Sequence, residues 1–257
     1  MDHQRGGMAF LIVLFFLTAL VYASVGFGGG STYNALLVLN GIDYRILPTI
    51  SLACNIIVVA GGVWRFGRAQ EIDWRAIAPW IAGSIPAAWI GGRLPVSEQV
   101  FVGLLAFALS VAGVQLLLPA RGAGTPARKN LPPTIAVAAG GALGFLSGVT
   151  GIGGGIFLSP LLHALKWGPA RRIAGAASLF ILANSVAGLA GQASKLGETD
   201  MAGLAAAYWP LLAAVLVGGQ IGSLFGATRL PEAWLRRITG VLILYVAVRL
   251  IVRSIGI

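Results

Sequence analysis

Ser51 and Asn55 stand four residues apart in one apolar block of this chain, and Ser178 and Asn184 stand six apart in a later one. A spacing of four puts the first pair on one helix face; a spacing of six aligns the second pair less well. Bare amides in hydrocarbon are costly unless paired, so all four side chains are expected to face inward. There they have two uses: to donate to an anion, or to bond neighbouring helices. A second polar group surrounds two glycine clusters. Ala23-Ser-Val-Gly-Phe-Gly-Gly-Gly-Ser-Thr-Tyr-Asn-Ala35 returns, altered, as Gly148-Val-Thr-Gly-Ile-Gly-Gly-Gly-Ile-Phe-Leu-Ser-Pro160. Ser24, Ser31, Thr32, Asn34, Thr150 and Ser159 belong to these stretches. Ser31 and Thr150 are the best-placed donors, one opening a short segment and the other preceding a glycine tip. Plain helix capping is the simpler role for both.

The surroundings of these groups are those of a membrane protein. The chain has 257 residues, 57% hydrophobic and only 10% charged, with a mean hydropathy of +0.87. Its apolar residues come in long blocks with the charges squeezed between them, a pattern that no soluble fold with a wet surface requires. The net charge of +10 sits in short loops beside those blocks, so membrane topology explains it without nucleic acid. Cys54 is the single cysteine, which excludes an internal disulfide or a cysteine metal cluster. Arg5, the run Met8 to Val21 and Val21-Tyr22-Ala23 imitate a secretory signal, but the matching segment after Pro133 lies mid-chain and argues against cleavage.

Five apolar segments precede residue 125 and five follow it. The first set falls near 8–23, 31–40, 46–64, 76–92 and 99–118, the second near 133–149, 156–165, 172–193, 204–227 and 234–252. Besides the glycine clusters, Ser51-Leu52 matches Ser178-Leu179, Ala60-Gly61 matches Ala187-Gly188, and Arg93-Leu94-Pro95 matches Arg229-Leu230-Pro231, all in one order. An internal duplication into 1–125 and 126–257 follows, joined by a polar linker at 119–132. Corresponding loops differ in Lys and Arg: 1–7 is poor and 119–132 rich, 41–45 poor and 166–172 rich, 65–75 rich and 194–200 poor, 93–98 poor and 229–237 rich. Equivalent loops on opposite sides are the signature of an inverted repeat, with the linker cytoplasmic and both termini outside. The fold class expected is therefore an all-α polytopic membrane protein built from two inverted repeats.

The second segment of each repeat is about half as long as a span needs. It is either a tilted crossing or a half-helix returning from a glycine tip inside the membrane. In the second case Gly28, Gly29 and Gly30 meet Gly153, Gly154 and Gly155 from opposite sides. Glycine permits the turn and a close backbone approach. Each short helix then opens at its tip with unpaired N–H groups and the positive end of its dipole, a cradle for a small anion. Close helix packing is the competing reason for glycine, and it suffices for Gly91-Gly92, Gly140-Gly141 and Gly218-Gly219. A dinucleotide fingerprint does not fit, and no Walker A lysine follows either cluster.

The eight acidic residues all fall in loops or ends, so no carboxylate proton relay or cation cage is expected. His163, late in its short segment, is the one titratable candidate for proton coupling, or else an interfacial residue beside Lys166. Gln192, Gln220 and Ser223 are weaker pathway candidates. Arg65, Lys166, Arg171 and Arg172 border spans, either attracting anions to the cytoplasmic mouth or only setting topology. Trp64, Trp74, Trp167 and Trp234 are read as interfacial anchors.

The two glycine motifs, Ser147 to Pro160 above all, together with the Asn55 and Asn184 regions, resemble the TauE/SafE sulfite exporter family over nearly the whole chain. The resemblance implies a secondary carrier of the bacterial inner membrane that moves sulfite, sulfonates such as sulfoacetate, or related small organic anions. It implies no enzyme activity and no cofactor. The partners expected are the anionic substrate, membrane lipid and a proton or counter-ion, with no nucleic acid. Ser31-Thr32-Tyr33-Asn34 departs from Ile156-Phe157-Leu158-Ser159, so the first copy brings more polar groups to its tip. An intramembrane enzyme would need a paired nucleophile and base, and His3 and His163 are the only histidines. A non-conducting scaffold would need no polar residues at the tips.

Overall fold

The computed structural model describes residues 2–24, 26–118, 131–196, 198–225 and 232–254; most of the 119–132 linker lies outside them. The described residues form ten helices. They are α1 (Asp2–Ser24), α2 (Gly30–Leu39), α3 (Leu47–Arg68), α4 (Trp74–Arg93), α5 (Glu98–Leu117), α6 (Pro133–Thr150), α7 (Gly155–Ala164), α8 (Ala170–Leu196), α9 (Glu198–Phe225) and α10 (Glu232–Ser254). The segments read from the sequence match these helices in number and order. Six stretches are long and apolar enough to cross a membrane: Gly7–Ser24, Leu47–Arg68, Glu98–Leu117, Pro133–Thr150, Ala170–Leu196 and Met201–Leu224. The short second segments are helices of 10 residues each, α2 and α7.

Local chemistry starts and stops these helices where polar residues allow it. Asp73 caps α4 by accepting from the Ala76 N–H at 3.1 Å, and Ser97 caps α5 by accepting from Val100 at 3.4 Å. Pro48 and Pro133 occupy first-turn positions of α3 and α6, where a missing N–H removes nothing. The glycine clusters break the chain differently. Gly26 and Gly151 end α1 and α6 with φ of 82° and 77°, while Gly29 and Gly154 open α2 and α7 with φ of 88° and 76°. These left-handed values are costly for any residue with a Cβ, so each cluster enforces a break and a reversal at one spot.

Elsewhere glycine lets helix backbones touch. A Cβ on Gly144 would stand 2.6 Å from the Ser84 Cα, and one on Gly148 would stand 2.9 Å from the Gly92 nitrogen. Residue numbers rise together along this seam, so α4 and α6 run parallel. Gly191, against Arg93, extends the same contact to α8. On the other face of α8, Gly188 meets Leu52, Gly62 meets Ser178 and Gly175 meets Phe66, so α3 and α8 run antiparallel. Helices α1 and α9 pair in parallel through Gly218 against Phe16 and Gly222 against Leu20. Close packing is thus the role of Gly91, Gly92, Gly140 and Gly218, as the sequence suggests.

The outside of the bundle is apolar: Leu224 is 73% exposed, Trp209 63%, Phe10 61% and Phe107 60%. Such a surface suits lipid. Trp64 and Trp74 share it, and the Arg68 guanidinium lies 4.8 Å from the Trp64 ring. Trp167 is a correction to the anchoring role expected for it. It is buried in a cluster with Ile77, Trp80, Leu162 and Phe180, because the α7–α8 turn folds back against α4. The side chain of Trp234 lies outside the described residues. Arg171 reaches Glu71 at 3.9 Å, which puts the basic loops 65–75 and 166–172 at one end of the bundle.

The two uses of glycine separate by mutation. Gly144→Val overpacks the α4–α6 seam and is expected to cost about 1–3 kcal/mol or more, seen as a lower unfolding midpoint in detergent. Gly103→Ala, with open space around it, should leave that midpoint unchanged or raise it by up to about 1 kcal/mol of helix propensity.

Candidate functional site

The two glycine tips touch at the centre of the bundle. A Cβ on Gly30 would lie 2.6 Å from the Ile152 carbonyl oxygen. The irregular backbone at each tip leaves carbonyls without helical partners, and buried carbonyls need donors. Donors come from the opposite half. The Asn55 amide of α3 donates to Ile152 O at 3.2 Å, with a longer approach to Gly151 O at 3.5 Å. The Asn34 amide of α2 donates to Thr150 O at 2.7 Å, and the Ser51 hydroxyl donates to the Asn34 carbonyl oxygen at 2.8 Å. In return the Ser178 hydroxyl of α8 donates to Gly26 O. Gln192 supports the last turn of α6 by donating to Gly148 O at 3.2 Å. Within the first half, the Tyr22 and Thr32 hydroxyls share a bond of 3.0 Å.

The close approach of the tips depends on missing side chains. A Cβ on Gly153 would stand 2.8 Å from the Asn55 amide nitrogen and 3.4 Å from the Ser185 hydroxyl. Ile181 supplies an apolar wall, 3.2 Å from the corresponding position on Gly28 and 3.0 Å from that on Gly153. Helices α2 and α7 both begin here, so two helix N-termini converge with their first N–H groups lacking intrahelical acceptors.

Several buried polar atoms have no partner. Both side-chain polar atoms of Asn184 are unbonded, as are the Ser185 and Ser147 hydroxyls, the Asn55 carbonyl oxygen and the Tyr33 hydroxyl. Asn184, Ser185 and Ser147 are fully buried. Orphaned buried groups are rare in native proteins and mark a place for water or ligand. The Tyr33 hydroxyl and Asn55 oxygen lie against Gly29 and Gly28 of the first tip, and Ser185 and Ser147 against Gly153 and Gly154 of the second.

This chain matches the family model described as sulfite exporter TauE/SafE over residues 11–250. The chain belongs to the TauE/SafE family. A probable membrane transporter protein of Sinorhizobium fredii, y4hK, is 33% identical over 254 residues, covering 98% of this chain and 100% of that protein. No solved structure matches. Like the rest of the TauE/SafE family, this multi-pass protein is a membrane transporter and not an enzyme.

The tertiary structure brings the TauE/SafE glycine motifs together with most of the polar residues singled out in the sequence. Asn55 touches Gly28, Gly30 and Gly153, Asn34 joins Ser51 to Thr150, and Ser178 holds Gly26. Gly155 abuts Ile181, and Gly29 and Gly154 face outward, toward Thr18 and Tyr33 and toward Phe180. Thr150 does not present the donor expected of it, because its hydroxyl donates to Leu146 O at 2.7 Å within its own helix. His163 sits exposed in the last turn of α7, about 12 Å of helical rise from Gly155. Ser185 and Ser147 escaped the sequence reading. The signal for Ser185 was its spacing of seven, two helical turns, from Ser178.

Asn34→Leu removes the donor to Thr150 O and the acceptor of Ser51 together. Each stranded buried group costs about 1–3 kcal/mol, so this variant is expected to show a clear drop in the midpoint of denaturant unfolding in detergent. Ser51→Ala, which strands only one acceptor, should cost less.

Proposed function

We propose that this chain is a secondary transporter of small sulfur-containing anions, sulfite or organosulfonates such as sulfoacetate, across the bacterial inner membrane. One anion at a time is held between the glycine tips, by the N-termini of α2 and α7 and by the side-chain NH2 of Asn184. The observation that carries this reading is the meeting of the tips beside the unpartnered, fully buried Ser185 hydroxyl, whose neighbour in α8, Asn184, is likewise buried with no partner of its own. Ser31 and Thr32 open α2 and are buried at the same tip, where their N–H groups and the Ser31 hydroxyl are offered to the solute. Among the described side chains Asp43, Glu71, Asp73 and Glu98 all lie in loops or at helix starts, so no fixed negative charge opposes an anion at the tips.

Alternating access rests on residues 1–125 and 126–257 acting as inverted repeats. The antiparallel run of α3 against α8, the third helix of each half, supports that relation. So does the joining of the basic loops 65–75 and 166–172 at one end, which the positive-inside tendency makes cytoplasmic. Coupling to a proton has two routes: through His163, or on the substrate itself when that is a weak acid.

Flux of labelled sulfite and sulfoacetate into proteoliposomes, with taurine and lactate as comparators, tests the reading. Gly30→Ala puts a methyl group between the tips and is expected to abolish flux. Asn184→Leu removes a group with no protein partner, so stability should hold. Flux at low substrate should fall by about tenfold or more, the equivalent of one hydrogen bond to a charged group. Undiminished flux in both variants would remove the substrate from the tips. Transport of lactate in preference to every sulfur anion would make the chain a permease for other organic anions. His163→Gln should leave the pH profile intact if the substrate carries its own proton, and flatten it if His163 carries it.

A further inference from the structure

Arg65 occupies an unusual setting. It lies one turn before the end of α3, on the face turned to α9, half-buried among apolar helices. One guanidinium nitrogen donates to the Gln220 side-chain oxygen at 3.4 Å. The other terminal nitrogen is buried and has no partner. Arg65 enters no ion pair among the described residues, so its positive charge faces only a neutral amide. Gly61, one turn earlier, packs against Gln220: a Cβ there would stand 3.4 Å from its amide nitrogen, an ordinary contact. Gln220 aims an acceptor at the guanidinium and leaves the second donor open.

Its position gives the open donor a use. Gly62 precedes Arg65 by three residues and lies 3.6 Å, at its Cβ position, from the Ser178 hydroxyl that holds the first tip. Phe66, the next residue, lies 2.9 Å from the corresponding position on Gly26. Arg65 therefore stands between the first tip and the basic end of the bundle, beside the loop that carries Arg68 and Arg75. A buried guanidinium without a counter-charge is unfavourable by itself and is matched in shape by an oxyanion with two or more oxygens. We propose that Arg65, oriented by Gln220, is a second anion-binding station, which takes a sulfonate, sulfite or carboxylate group on the way between the basic end and the tips. This rests on the transport reading above and adds a sidedness to it. The station serves substrate arriving from or leaving to the basic end and is bypassed at the opposite entrance.

The test is a sided flux measurement with labelled sulfite, in everted membrane vesicles and in right-side-out vesicles, each compared with the wild type. Arg65→Gln is expected to raise the KM by about tenfold or more for substrate presented at the basic end, the usual cost of one charged hydrogen bond. It should leave the KM at the other end and the unfolding midpoint unchanged. Arg65→Lys, which keeps the charge but loses the fork, should fall between. Gln220→Glu neutralises the guanidinium without removing it, and should give the same one-sided rise even if Arg65→Gln fails to fold. Equal KM values in wild type, Arg65→Gln and Gln220→Glu would overturn the station while leaving the tip site standing. A rise of equal size from both ends would place Arg65 in the central site and also overturn it. Absence of sulfite flux in the wild type itself would overturn the transport reading, and this proposal with it.

Discussion

Backbone that leaves the helix in the middle of an apolar bundle must find hydrogen-bond partners there, since lipid offers none. Here that requirement is met by exchange between the halves of the chain. Asn55 and Asn34 from the first half hold the carbonyls of Thr150 and Ile152, and Ser178 from the second holds that of Gly26. Neither tip is satisfied by its own half alone, so the break in each half depends in part on the presence of the other. The centre of the molecule is therefore a shared object, and the cost of leaving any one of these carbonyls bare ties the two halves to one another.

Glycine serves two opposed ends in this framework. Along the α4–α6–α8 seams it removes side chains so that backbones lock at close range, which makes a rigid unit with no room for substitution. At the tips it lets the chain turn through left-handed φ values and brings the two breaks into contact. The same residue type thus builds both the long helix seams and the turns that open the short helices. What distinguishes them is the sign of φ and the presence of orphaned polar atoms, Asn184 and Ser185 foremost.

Polar residues divide along the same line. Ser51, Asn34, Ser178 and Thr150 all direct their hydrogens to protein acceptors and so maintain the architecture. Asn184 has no such duty. In the proposed transporter the first group shapes the cradle and Asn184 speaks to the solute. Asn55 holds the second tip through its nitrogen, while its open oxygen is an acceptor, suited to water or a protonated solute and not to the bare oxygens of an anion.

By itself the sequence determined the membrane setting, the ten apolar segments, the two short ones and the glycine breaks, because hydropathy, segment length and glycine content act locally and leave their mark in consecutive residues. The resemblance of its glycine motifs to the TauE/SafE family was legible for the same reason. Partnership was not. Nothing local tells that Asn34 reaches Thr150, that Ser178 crosses to Gly26, that Thr150 turns its hydroxyl back on its own helix, or that Trp167 is buried and not at the lipid boundary. Arg65 reads in sequence as one more basic residue at a span end, and only its place opposite Gln220 shows a charge with no ion-pair partner among the described residues. Those facts belong to contacts between segments far apart in the chain. They are decided when helices pack, since the partner of a buried polar group is chosen by proximity in space.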